Sequence, residues 1–174
     1  GQDFEIGVHP NNGCGNFTPS SLRGTYATDL GNFASSFPGL PSPVSNRMHC
    51  LVWSDWNSQF DVEREDGIRF DVNYYYWPGP WVQNRPGMFT GSGMPMRFAD
   101  LDGSMIDVYQ MATQMTDESE QEYPFTVDTL LDKALGPQGY YGVFTANMHT
   151  DIAESAEADA IVASAQARGV PVVS

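Results

Sequence analysis

The residues best suited to chemistry in this chain are its three histidines, His9, His49 and His149, since imidazole both ligates divalent metals and exchanges protons near neutral pH. Each falls on or at the end of a stretch that reads as a β-strand. His9 follows Phe4-Glu5-Ile6-Gly7-Val8, and His49 lies within Met48 to Trp53. His149 closes the stretch Tyr141 to Asp151, where Tyr141, Val143 and Phe144 have the aromatic or β-branched character of a short buried strand. A lone strand histidine is ordinarily a satisfied core or rim residue, but the same placement in all three points to one site. Neutral imidazoles suit a borderline divalent ion such as zinc, and a remaining histidine then serves as general acid or base. With no HxxxH or HExxH pair in the chain, spacing alone does not select the ligands.

Placing these side chains requires strands that end at one edge, and the order of elements predicts such an arrangement. After the His9 strand, Thr18-Pro19 has the N-cap and first-position proline of a helix. Leu22, Tyr26, Leu30, Phe33 and Phe37 then recur at helical spacing until Pro38-Gly39. Strands are predicted over Met48 to Trp53 and Ile68 to Tyr76, and Met94 to Ala99 with Met105 to Met111 reads as a β-hairpin around Asp100-Leu101-Asp102-Gly103. The acidic run Asp117 to Glu122 reads as a solvated linker. A helix is predicted from Thr126, as its cap, to Gly136-Pro137. Another starts at Asp151, with Glu154 at capping-box spacing and a stripe of Ile152, Ala156, Ala160, Ala163 and Ala167, and Val170 to Val173 reads as a last strand. This order predicts an α/β fold, a distorted or incomplete (β/α) barrel with mainly parallel strands and an inserted β-hairpin. In such folds the carboxyl ends of the strands carry the ligand site. Residues 1–174 read as one domain, or a segment of one cut from a longer chain.

Composition narrows the partners. With 22 acidic against 8 basic residues the net charge is −14, a field that disfavours nucleic acid and anionic membrane surfaces, and no apolar run has the length of a membrane span. Cys14 and Cys50 are too few for a disulfide framework and lack zinc-knuckle spacing; they read as free thiols, with a single bridge as the alternative in a secreted protein. All four tryptophans, Trp53, Trp56, Trp77 and Trp81, share a stretch with Tyr74, Tyr75 and Tyr76. Alternate tyrosines of that run must face opposite sides of a strand. Trp77 and Trp81, among Pro78, Gly79 and Pro80, belong to a loop over the site, where flat rings, with Tyr75, present faces to a bound substrate.

The opening Gly-Gln-Asp-Phe-Glu-Ile-Gly-Val-His and the two later stretches Gly-Val-Phe-Thr-Ala-Asn-Met-His and Ala-Gln-Ala-Arg-Gly-Val-Pro-Val-Val-Ser resemble polysaccharide deacetylases, the NodB-homology group of the glycoside hydrolase/deacetylase superfamily. The resemblance covers the middle and C-terminal part of such a domain and is specific at its two ends. It implies a distorted β/α barrel, a divalent metal (zinc foremost), a polysaccharide or oligosaccharide substrate carrying acetyl groups, and an extracellular or cell-surface location. By the same resemblance His9 matches a metal-binding histidine, Arg47 with His49 stands where an Arg-x-Pro motif is expected, Asp71 matches an acidic motif, and His149 matches the catalytic acid. The family's second metal histidine falls at Gly13, its proline at His49, and its aspartate pair before residue 1. His49 is the side chain that could take the place Gly13 leaves empty, with other segments of a parent chain completing the ligand set, so the segment alone is expected to be weak or inactive. The alternatives are a non-catalytic carbohydrate-binding or surface-assembly module and a glycoside hydrolase of the same superfamily.

Overall fold

The computed structural model describes residues 5–73, 93–117, 121–137, 139–151 and 153–173, and divides them between two compact units. The first gathers the chain up to Tyr74 together with Pro95–Met111, and the second holds Ala112 onward with the segment ending at Met94.

In the first unit helix α1, Pro19–Ser36, begins where the sequence predicts it. The Thr18 side chain accepts from the Ser21 backbone N–H, Ser21 returns the bond to Thr18, and Pro19 opens the first turn where its missing N–H costs nothing. Only Leu22 and Tyr26 of the predicted stripe are buried, with Leu30 packed beside them. Strand β1, Ser45–Asn46, runs parallel to β2, Phe70–Asp71, and β2 runs parallel to β4, Met105–Gln110. Strand β3, Met96–Ala99, pairs antiparallel with β4, giving the predicted hairpin, and the order across the sheet is β1-β2-β4-β3. On the far side of β1, Val8 forms a single parallel bridge with Asn46. Gly7 permits this approach, because a Cβ there would stand 2.8 Å from Ser45 Oγ.

Helix α2, Ser58–Glu65, was not predicted. Its sequence is charged and short, but Asp55 accepts from both the Ser58 backbone N–H and hydroxyl, and it packs between α1 and β4. Alternation along β4 buries Ile106 and Val108 against Phe60 and leaves Asp107 and Tyr109 outward. The core behind β1 and β2 is Val8, Phe17, Leu22, Tyr26, Met48, Val62 and Ile68.

The second unit holds a two-stranded parallel sheet of β5, Thr113–Thr116, and β6, Thr145–Asn147. Helices α3, Phe125–Leu135, and α4, Ala156–Ala167, pack together, and their core is Met115, Val127, Leu130, Leu131 and Ala165. Arg168 links them through Asp128 and Asp132.

Several predicted bounds change. Helix α3 starts one residue before Thr126, with Pro124 at its cap. Helix α4 starts at Ala156 because Ser155, not Asp151, accepts the capping bond from Ala158, and Ile161 rather than the alanine stripe reaches the core. Tyr141 is 72% exposed and the strand begins only at Thr145, since the Val143 N–H is committed to Gly93. Met48 to Trp53 is no strand: Cys50 and Leu51 have positive φ, which a strand cannot accommodate. Val172 and Val173 are exposed and pair with no strand among the described residues. The fold is mixed α/β with mainly parallel strands, and no closed barrel forms among the described residues.

Candidate functional site

The carboxyl edge of the first sheet is built by three neighbouring chain exits. Beyond Val8 comes His9, beyond β1 come Arg47 and His49, and beyond β2 comes Asn73. The His49 backbone N–H donates to the Pro10 carbonyl at 2.9 Å, which draws the segment after β1 against the loop after His9. The result sets His9 Nε2 3.4 Å from His49 Nδ1, with the rings edge to face and both residues exposed. Without an ion, one ring donates to the other. Two nitrogens bound to one tetrahedral zinc at 2.0–2.1 Å stand about 3.3 Å apart, so the separation of this pair matches that of two imidazoles on one ion, once the shared proton is displaced.

The same convergence joins Cys14 to Cys50 in a disulfide, with Cα atoms 5.3 Å apart, in place of the free thiols expected from sequence. Cys14 lies on a loop shaped by Asn11, whose side chain accepts from Gly13 and whose backbone donates to Asp29 of α1. The 36-residue separation concealed a pairing that exists only because the β1 exit and the His9 loop are adjacent.

Beneath this edge lies a cluster that the sequence did not reveal. Glu63 of α2 and Asp71 of β2 are both fully buried. Glu63 Oε1 accepts from Tyr26, Asn46 and Gln59; Asp71 accepts from Asn46 and from both the backbone and side chain of Asn73. Burial, and then the charge of Asp71, push Glu63 well above the usual carboxylate range. Burial also raises Asp71, against hydrogen bonds from Glu63, Asn73 and Asn46 that favour its charged form. Burial thus favours the protonated form of both carboxyls, more strongly for Glu63, since the bonds that Asp71 accepts favour its charged form. Asp71, expected among the catalytic groups, is enclosed here and tied into the scaffold, whereas a general base must reach the reacting atoms. Arg47, another expected site residue, is partly buried and donates to the Val72 carbonyl at 2.7 Å, bracing the exits of β1 and β2.

The second unit has its own parallel edge. Asp117 follows β5 and His149 follows β6. One carboxylate oxygen accepts from the His149 backbone N–H at 2.7 Å and the other meets Nδ1 at 2.8 Å. An ionised carboxylate only accepts, so Nδ1 carries the proton and Nε2 is the nitrogen suited to proton exchange. Burial alone would raise Asp117, but the two bonds from His149 outweigh it and hold the carboxyl below its usual range. The His149 side chain is 42% exposed and that of Asp117 is 9% exposed, giving a reachable imidazole backed by a shielded carboxylate. Asp117 belongs to the run expected to be a solvated linker; only the parallel pairing of β5 with β6 shows its partner.

Tyr75, Trp77 and Trp81 lie outside the described residues. Trp53 and Trp56 are described and exposed; Trp53 packs against Phe60 and Phe98, and Trp56 donates to the Ala99 carbonyl.

No protein-family model and no curated protein matches the chain. Among solved structures, it is similar to a Bordetella bronchiseptica protein described as a candidate polysaccharide deacetylase involved in O-antigen biosynthesis, with a TM-score of 0.41 and 20% identity over 86% of this chain and 52% of that one. The chain thus spans about half the length of that protein. A likeness of that degree carries no assignment to individual residues.

Proposed function

We propose that this chain is part of a polysaccharide-deacetylase-like domain acting on acetylated glycans at the cell surface or outside the cell. The reading is carried by one observation: each of the three histidines stands just beyond a parallel strand or bridge, and two of them meet nitrogen to nitrogen at 3.4 Å. His9 and His49 are the protein ligands for a divalent metal, zinc foremost, whose chemistry is to polarise an acetyl carbonyl. In the second unit His149, its tautomer fixed by Asp117, is the residue suited to exchange a proton through Nε2. Asp71 and Arg47 act as positioning residues. The disulfide supports an oxidising compartment.

The test is acetate release from a panel of acetylated oligosaccharides by the chain and by a longer parent polypeptide, each with zinc and with a chelator. Chelator-sensitive release, lost in His9→Ala and His149→Ala, is the expected result; no release from zinc-loaded protein across the panel overturns it. A non-catalytic glycan-binding module is the second reading, supported by the exposed rings of Trp53 and Trp56. It predicts oligosaccharide binding without acetate release, weakened by Trp56→Ala.

A further inference from the structure

His49 also stands beside two sulfur atoms, in a group that His9 does not share. Single ligand atoms of Cys14, His49 and Cys50 all lie within 4.8 Å of one another, and all three residues are exposed. His49 and Cys50 are consecutive, and in an extended strand consecutive side chains point to opposite faces. Here Cys50 has φ 63° and Leu51 φ 51°, a left-handed turn that brings His49 and Cys50 to one point. Cys14, at φ 58°, reaches the same point from the other loop. A non-glycine residue held in this region is costly and persists only where surrounding contacts impose it.

We infer that Cys14 and Cys50 form a redox gate on metal binding at His49: reduced, their thiolates bind zinc together with His49, and oxidised, they are withdrawn from the ion as a disulfide. In the reducing direction a small dithiol supplies two electrons and two protons. The Sγ–Sγ bond breaks, two thiols form, and the dithiol leaves as its own disulfide. Zinc then displaces two protons from those thiols. Two thiolates on one tetrahedral zinc at about 2.3 Å stand about 3.8 Å apart, so reduction must first let the two sulfurs move apart from bonding distance. Thiolate binding makes the reduced state the tighter one, since two anionic sulfur donors join the imidazole on the ion. For the oxidised state alone the inference rests on the His9–His49 metal reading.

The experiment compares the chain as purified with the chain reduced by a dithiol, the dithiol being removed by anaerobic gel filtration. Zinc affinity is measured by competition with a chromophoric chelator, and cobalt(II) is used as a spectroscopic substitute. Reduction is expected to raise zinc affinity by about a hundredfold or more and to give a sulfur-to-cobalt charge-transfer band in the near ultraviolet, both absent in the Cys14→Ser/Cys50→Ser variant. His49→Ala should weaken the reduced site and alter the cobalt spectrum. No charge-transfer band, or an affinity that stays level or falls on reduction, overturns the gate. A band indifferent to His49→Ala also overturns it, since an unfolded dithiol chain would give that result. Zinc held by the oxidised protein with no gain on reduction leaves the two-histidine reading standing without the gate. Binding only after reduction, with the band, supports the gate and removes the two-histidine reading.

Discussion

Two parallel-strand edges, one in each unit, place a histidine just beyond a strand, and the two differ in what stands opposite. Facing His49 in the first unit is His9, with the Cys14–Cys50 bridge alongside. Facing His149 in the second is the Asp117 carboxylate, which takes both its backbone N–H and its ring. A neutral donor opposite an imidazole makes a site for a cation; an anion opposite an imidazole fixes its tautomer and stabilises its protonated form. One residue type at equivalent positions thus gives ligand chemistry in one unit and proton chemistry in the other.

The strongest way to break this contrast is His149→Ala. Acetate release should fall by about 10²–10⁴-fold, the usual contribution of a positioned acid, while zinc affinity measured by calorimetry stays as in the parent. Loss of zinc binding in that variant would place His149 among the ligands and erase the distinction.

Next in size is a change beneath the first edge. Asp71→Ala removes the acceptor of the Asn73 backbone N–H and one of the two acceptors of the Asn46 amide, and should cost about 3–5 kcal/mol in urea unfolding, as removal of one member of a buried charged network does. A drop in turnover with stability unchanged would return Asp71 to the reacting groups. The paired change Glu63→Gln keeps the shape and removes the titratable proton. Since the folded-state pKa of Glu63 is raised above its ordinary 4.5, its contribution to stability is complete below that value and is lost as pH rises through the folded-state pKa. The variant should accordingly unfold with a flatter dependence on pH above about 4.5, and an unchanged slope would show Glu63 to be ionised.

His9→Ala tests the first edge directly. Zinc affinity of the oxidised chain should fall by about 10–100-fold, with acid unfolding of the second unit unaffected. Equal zinc affinity would mean that the two imidazoles only hydrogen-bond to each other.

The smallest effect is expected for Asp117→Asn in the second unit, about 1–2 kcal/mol of stability at neutral pH from the two bonds to His149. The folded pKa of Asp117 lies below its ordinary 3.8, so its contribution is present above that value and disappears as pH falls through the folded-state pKa. Thermal melts of variant and parent should therefore converge on acidification; a constant difference down to pH 2 would show that the stabilisation is not carried by the ionised carboxylate.

Local signals in the sequence were enough for α1 and the β3–β4 hairpin. Thr18, Pro19 and Ser21 act on backbone groups within one turn, and Asp100 to Gly103 closes a turn whose flanking strands alternate, so neither needs distant residues. The same holds for His9 and His149, which follow Val8 and β6, but not for His49, expected inside a strand and found in the turn after β1. It fails for α2, whose charged sequence becomes helical through packing on α1 and β4, and for the bounds of β6, set by how far β5 extends and by Gly93.

By itself, then, the sequence determined the acidic surface, the α/β alternation, the capped first helix and the candidacy of His9, His49 and His149, all properties of composition or of neighbours along the chain. Only the tertiary structure decided their partners: Asp117 for His149 across 32 residues, His9 for His49 across 40, Cys14 for Cys50 across 36. It also enclosed Asp71, turning an expected reagent into a strut. The reason is that a side chain's chemistry depends on what lies within a few ångströms of it, and in a parallel sheet those neighbours arrive from separate strands, whose pairing is set by burial of the core and by backbone hydrogen bonding between segments distant in sequence.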